Sequence, residues 1–70
     1  MTRKEMIKIT IQDTYAAACR FRRNHPTMEI RKVYLSHIGT VRLEAQAQSG
    51  KLWTYELIED EQGKPLFEAV

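Results

Sequence analysis

The sequence predicts an α+β fold of two layers, with one amphipathic helix on a mostly antiparallel five-stranded sheet in the order β-α-β-β-β-β. Two observations carry this. Four apolar-alternating runs are separated by short loops that each end in glycine, at Gly39, Gly50 and Gly63. One alanine-rich, arginine-ended segment precedes them, with Ala17, Ala18 and Phe21 on one helical face. Seventy residues make a single domain over 1–70.

The first element expected is a strand over Met6–Gln12. Ile7, Ile9 and Ile11 alternate with Lys8, Thr10 and Gln12, and β-branched residues at period two suit a half-buried strand. Asp13 is then read as the cap of a helix from Thr14 to about Asn24, because a carboxylate accepts the free N–H groups of a first turn. Asn24 supplies a left-handed end and Pro26 forbids continuation.

The remaining runs read as a meander over Ile30–Ser36, Val41–Ala47, Leu52–Asp60 and Leu66–Ala69. Three-residue hairpin loops with a left-handed third residue want glycine there. That loop length fixes the register. It pairs Leu35 with Val41, Val33 with Leu43, Leu43 with Tyr55, Ala45 with Trp53 and Leu57 with Phe67, all apolar. On the other face Lys32 meets Glu44, Arg42 meets Glu56, and Tyr34 lies beside Arg42 as a cation–π neighbour. A shift of one residue would reverse every face. The same register sends Trp53, Tyr55, Phe67 and Phe21 to the core.

Charge is divided between the halves. Residues 1–42 hold nine Lys and Arg against three acids, a net +6; residues 43–70 hold two against six, a net −4. Such a dipolar chain steers toward charged partners and toward itself. The basic side chains expected to bind a partner are Arg20, Arg22, Arg23, Arg31 and Lys32. Four cationic or titratable groups between Arg20 and His25 exceed what a helix end requires. The reading is a surface for protein carboxylates, including those of a nucleoprotein complex. The alternative is a nucleic-acid-binding regulator using the same arginines.

Ile58 and Leu66 pair on the outer face. With Met28 and Ile30 they are expected to form the apolar surface of a homodimer, since a chain this short has a modest core. Cys19 is the sole cysteine and has no disulfide partner. Neither His25 nor His37 stands at a metal-ligand spacing, and no nucleophile elbow or phosphate loop occurs, so no metal, cofactor or catalytic residue is expected. The absence of an apolar export region, of a membrane-length apolar run and of paired cysteines leads to the expectation of a cytoplasmic protein.

The run Gly39-Thr40-Val41-Arg42-Leu43-Glu44-Ala45, followed by Gly50, Trp53 and Tyr55, resembles the C-terminal hairpin of a small family of type I-F anti-CRISPR proteins. The resemblance covers less than a third of the chain. It implies a phage or mobile-element protein that acts by stoichiometric binding to a host defence complex, and no binding residue transfers with it.

Overall fold

A computed structural model describes residues 3–70, with side chains from residue 11 onward. The order is α1 (Arg3–Asn24), β1 (Glu29–Leu35), β2 (Val41–Gln46), β3 (Leu52–Glu59) and β4 (Pro65–Ala69). The four strands form one antiparallel meander in the order β1-β2-β3-β4. The fold is therefore α+β with one helix, but the sheet has four strands and, among the described residues, no strand precedes the helix.

The expected strand over Met6–Gln12 lies within α1. The period-two isoleucines compete there with a chain that has no glycine before Gly39 and no proline before Pro26. A helix already under way gains one local hydrogen bond per added residue, whereas a strand must find a distant edge. Asp13 consequently sits inside the helix rather than at its cap. Ile11 is 66% exposed, so the supposed inward face of the strand is not a core face. The helix end also differs from expectation. No described residue other than glycine has positive φ, so Asn24 is not left-handed. Instead the His25 N–H donates to the Phe21 carbonyl at 2.8 Å, and the Met28 N–H closes a turn onto His25 at 3.1 Å.

The meander follows the expected register pair by pair. Its three hairpins share one construction. In each, the residue before the loop donates its N–H across the loop, as Ser36 does to Thr40 at 2.7 Å, Ala47 to Lys51 at 2.9 Å and Asp60 to Lys64 at 2.8 Å. Gly39, Gly50 and Gly63 stand at φ of 87°, 91° and 76°, a region that a Cβ makes costly.

One irregularity redirects a side chain. Lys32 pairs with Glu44, yet Ile30 pairs with Ala45, so Arg31 is an extra residue in β1. Such a bulge turns the residues before it to the opposite face. Ile30 and Met28 therefore pack on the core and do not join Ile58 and Leu66 on the outer face.

The core consists of Ala17, Phe21, Leu43, Ala45, Tyr55 and Phe67. The Phe21 ring meets Tyr55 edge to face at 4.8 Å, and the Tyr55 hydroxyl donates to the Met28 sulfur at 3.6 Å. Trp53 departs from expectation. It is 41% exposed, and Lys51 Nζ lies 4.3 Å from its ring centre. It shares the helix-side face with Tyr55, but the main helix–sheet contact is with β4. A helix about 10 Å wide spans about two strands spaced about 4.8 Å apart. Leu43 and Ala45 of β2 are nonetheless fully buried, and on β1 it is Val33 and Leu35 that stay open, 41% and 68% exposed.

Truncating buried aromatics to alanine typically costs about 3–5 kcal/mol. Phe21→Ala or Tyr55→Ala is expected to abolish the cooperative thermal transition. Trp53→Ala is expected to cost only about 1 kcal/mol. Thermal denaturation followed by circular dichroism ranks the three.

Candidate functional site: the basic helix end

The five cations expected to act together occupy three different settings. Arg20 faces inward along the sheet end. Its Nη1 donates to Asp60 Oδ2 at 2.8 Å and lies 3.4 Å from the Pro65 carbonyl oxygen. Asp60 Oδ1 meanwhile accepts the N–H groups of Gln62 and Lys64, each at 2.9 Å. One carboxylate thus shapes the β3–β4 turn and fastens the helix to it. The Arg20 hydrogen bond, then the backbone bond from Lys64, hold the Asp60 carboxyl below its ordinary value of 3.8. Arg20 is thus a tether within the fold, already engaged with Asp60 rather than free at the surface.

Arg22 and Arg23 are exposed at the last helical turn and make no ion pair with a described residue. Arg22, His25, Pro26, Met28, Glu29 and Ile30 line an open depression where the helix passes into β1. His25, part of its lining, stacks on the core Phe21 at 4.6 Å between ring centres and lies 5.8 Å from Tyr55, so the depression is braced against the core. The C-terminal end of a helix is also its negative pole, which steadies these cations.

Arg31, the bulged residue, reaches Glu29 at 3.7 Å with both side chains largely exposed. Exposed pairs of this kind contribute little to stability and leave both groups available. Lys32 lies on the opposite face of the sheet, its Nζ 5.0 Å from the centre of the Tyr34 ring. The cation–π contact expected between Arg42 and Tyr34 is made by Lys32 instead. Arg42 turns to Glu56 Oε2 at 3.4 Å, as the register anticipates. Arg22, Glu29 and Arg31 are thus brought to the helix–β1 connection, Arg23 is exposed on the same turn as Arg22, and Arg20 and Lys32 are held elsewhere.

Ile58 and Leu66 pair directly across β3 and β4 and are half-buried. The large exposed apolar side chains are different ones, among them Ile11, Tyr15, Val33, Leu35 and Ile38. Strand alternation could not single out Val33 and Leu35, because it assigns a face without saying how much of that face the helix covers; Ile11 and Tyr15 are helical and Ile38 lies in a loop. His37 is exposed in the first hairpin loop, and Cys19 is a half-buried free thiol. Among the described residues no group of His, Cys, Asp and Glu could hold a metal ion, and no described helix is long and apolar enough to cross a membrane. No protein-family model, curated protein or solved structure matches the chain.

The Asp60 carboxyl titrates lower in the folded chain than in the unfolded one. Its contribution to stability is therefore full above the ordinary carboxylate value of 3.8 and is lost as pH falls through the lowered folded value. Asp60→Asn is expected to reduce the melting temperature at neutral pH and to flatten its fall in acid. Arg20→Ala should lower the melting temperature more than Arg23→Ala does. Melting curves collected from neutral pH into strong acid check both.

Proposed function

We propose that the protein is a non-enzymatic binding protein that captures an acidic protein surface through Arg22 and Arg23, with Arg31 beside them. The supporting observation is that the two helix-end arginines are exposed and unpaired among the described residues, next to a depression whose His25 is stacked on the core. Such bracing matters because a cation held by a fixed backbone loses less freedom on binding. Glu29 lies among the cations. A carboxylate there repels a phosphodiester chain but can meet a lysine or arginine on a protein partner. That favours a protein, including the protein face of a nucleoprotein complex, over bare nucleic acid. Stoichiometric inhibition of a host defence complex in the cytoplasm, by a phage or mobile element, is the biological setting that the hairpin resemblance suggests.

The test uses the purified chain as bait on bacterial lysate, with and without nuclease. A protein retained after nuclease treatment, and released by rising salt, is the expected result. Arg22→Glu with Arg23→Glu should weaken that retention by about tenfold or more, near 1.4 kcal/mol, without changing the melting curve. Retention that disappears with nuclease would assign the arginines to nucleic acid. Unchanged retention by the double variant would remove them from the interface.

A further inference from the structure

Resting on a protein-facing role for Arg22 and Arg23, we propose that the depression beside Arg22 is an anchor pocket for one side chain of the partner. It takes a single large aliphatic residue whose neighbour in the partner's chain is a carboxylate. Size, lining, rigidity and charge lead to this occupant.

The depression has a volume of about 360 Å³. Ligand sites run from about 300 to about 1,000 Å³, so this one stands at the small end. It holds one side chain rather than a helix or a folded surface.

The lining is largely apolar. Pro26, Met28 and Ile30 supply it, together with the His25 ring. Met28 and Ile30 also pack against the core, which makes the pocket a notch in the edge of the core. Apolar area removed from water is the main source of affinity in such a notch. A thioether wall adapts to the shape it meets, which suits an aliphatic guest.

The walls are shaped before anything binds. The bulge at Arg31 turns Ile30 inward. The Tyr55 hydroxyl donates to the Met28 sulfur at 3.6 Å, and the His25 ring lies 4.6 Å from that of Phe21. The His25 and Met28 N–H groups close the helix–β1 connection at 2.8 and 3.1 Å, and Pro26 between them has a fixed φ. A preformed pocket costs little ordering on binding.

Charge selects the neighbour. Arg22, on the helix side, is exposed and has no ion-pair partner among the described residues. A carboxylate next to the anchored side chain meets that guanidinium. Glu29, on the strand side, already faces Arg31 at 3.7 Å. A phosphodiester strand carries a negative charge at every unit and would meet Glu29 as well. One acid beside one aliphatic group avoids that repulsion, and a polypeptide offers the pair on consecutive residues.

Nuclear magnetic resonance titration of the full chain tests this with acetylated, amidated tripeptides as probes. Alanine–leucine–aspartate should shift the Ile30 and Met28 methyl signals and the His25 ring signals, with a dissociation constant of about 1 mM. Alanine in place of the leucine should weaken binding by at least about fivefold. Asparagine in place of the aspartate should weaken it by about twofold or more. Arg22→Gln should erase the preference for aspartate and keep the preference for leucine. The apolar requirement is read from the peptide, so no core residue of the protein changes. Absence of shifts at about 20 mM, or equal binding of the leucine and alanine peptides, would overturn the pocket. Displacement of the peptide by a short oligothymidylate at lower concentration would give the site to nucleic acid and overturn it too. If the peptides fail while Arg22→Glu with Arg23→Glu still loses retention from lysate, the pocket falls and the charged surface stands. Leucine-dependent binding with unchanged retention by that double variant would keep the pocket and remove the arginine surface around it.

Discussion

The constraint from which the rest of the structure follows is that one helix must cover a four-stranded sheet and is held at only one edge of it. Phe21 against Tyr55 supplies the apolar part of that hold. Arg20 on Asp60 supplies the directional part, since a guanidinium bound to a turn carboxylate sets where along the sheet the helix lies. Asp60 is suited to this because the same carboxylate already organises the turn through the Gln62 and Lys64 amides. Placed so, the helix covers Phe67 and Tyr55 and leaves Val33 and Leu35 open. It also brings its last turn against the start of β1, where the Arg31 bulge has rotated Ile30 and Met28 inward. The depression beside Arg22 results from these two adjustments acting together.

The same hold divides the basic residues by role. A helix end with several arginines looks uniform in sequence, but successive residues are about 100° apart around the axis. Arg20 is turned to the β3–β4 side and spent on the fold, while Arg22 is turned to the β1 side and remains open. Any account of binding that treats the cluster as one unit would confuse loss of the helix anchor with loss of the binding surface.

The sheet was legible in the sequence and the helix only half so. Loop length and glycine position are local rules, and three repeats of the same hairpin chemistry left one register compatible with Leu43 opposite Tyr55 and Arg42 opposite Glu56. Two features escaped for non-local reasons. The alternation of Ile7, Ile9 and Ile11 satisfies a strand pattern, but nothing in that segment stops a helix. The burial of Trp53 depended on where the helix lies across the sheet, which is set by Arg20 and Asp60, forty residues apart in the chain. The bulge at Arg31 has no glycine or proline to announce it. Of the binding surface, helix phase read from the sequence turns Arg20 and Arg23 to solvent and sets Arg22 at the boundary of the packed face; Arg23 is exposed in that way, but Arg22 is exposed as well and Arg20 is tethered to Asp60.

The central claim is that the helix is fixed near β4 by Arg20 and Asp60 and leaves Val33 and Leu35 of β1 uncovered, and nuclear Overhauser contacts in a dilute sample measure it directly. Cross-peaks are expected from the Phe21 ring to Tyr55 and from Ala17 to core residues of the sheet, with none from any helical residue to Val33 or Leu35. Cross-peaks from the helix to Val33 within one chain, with Arg20 remote from Asp60, would contradict the account.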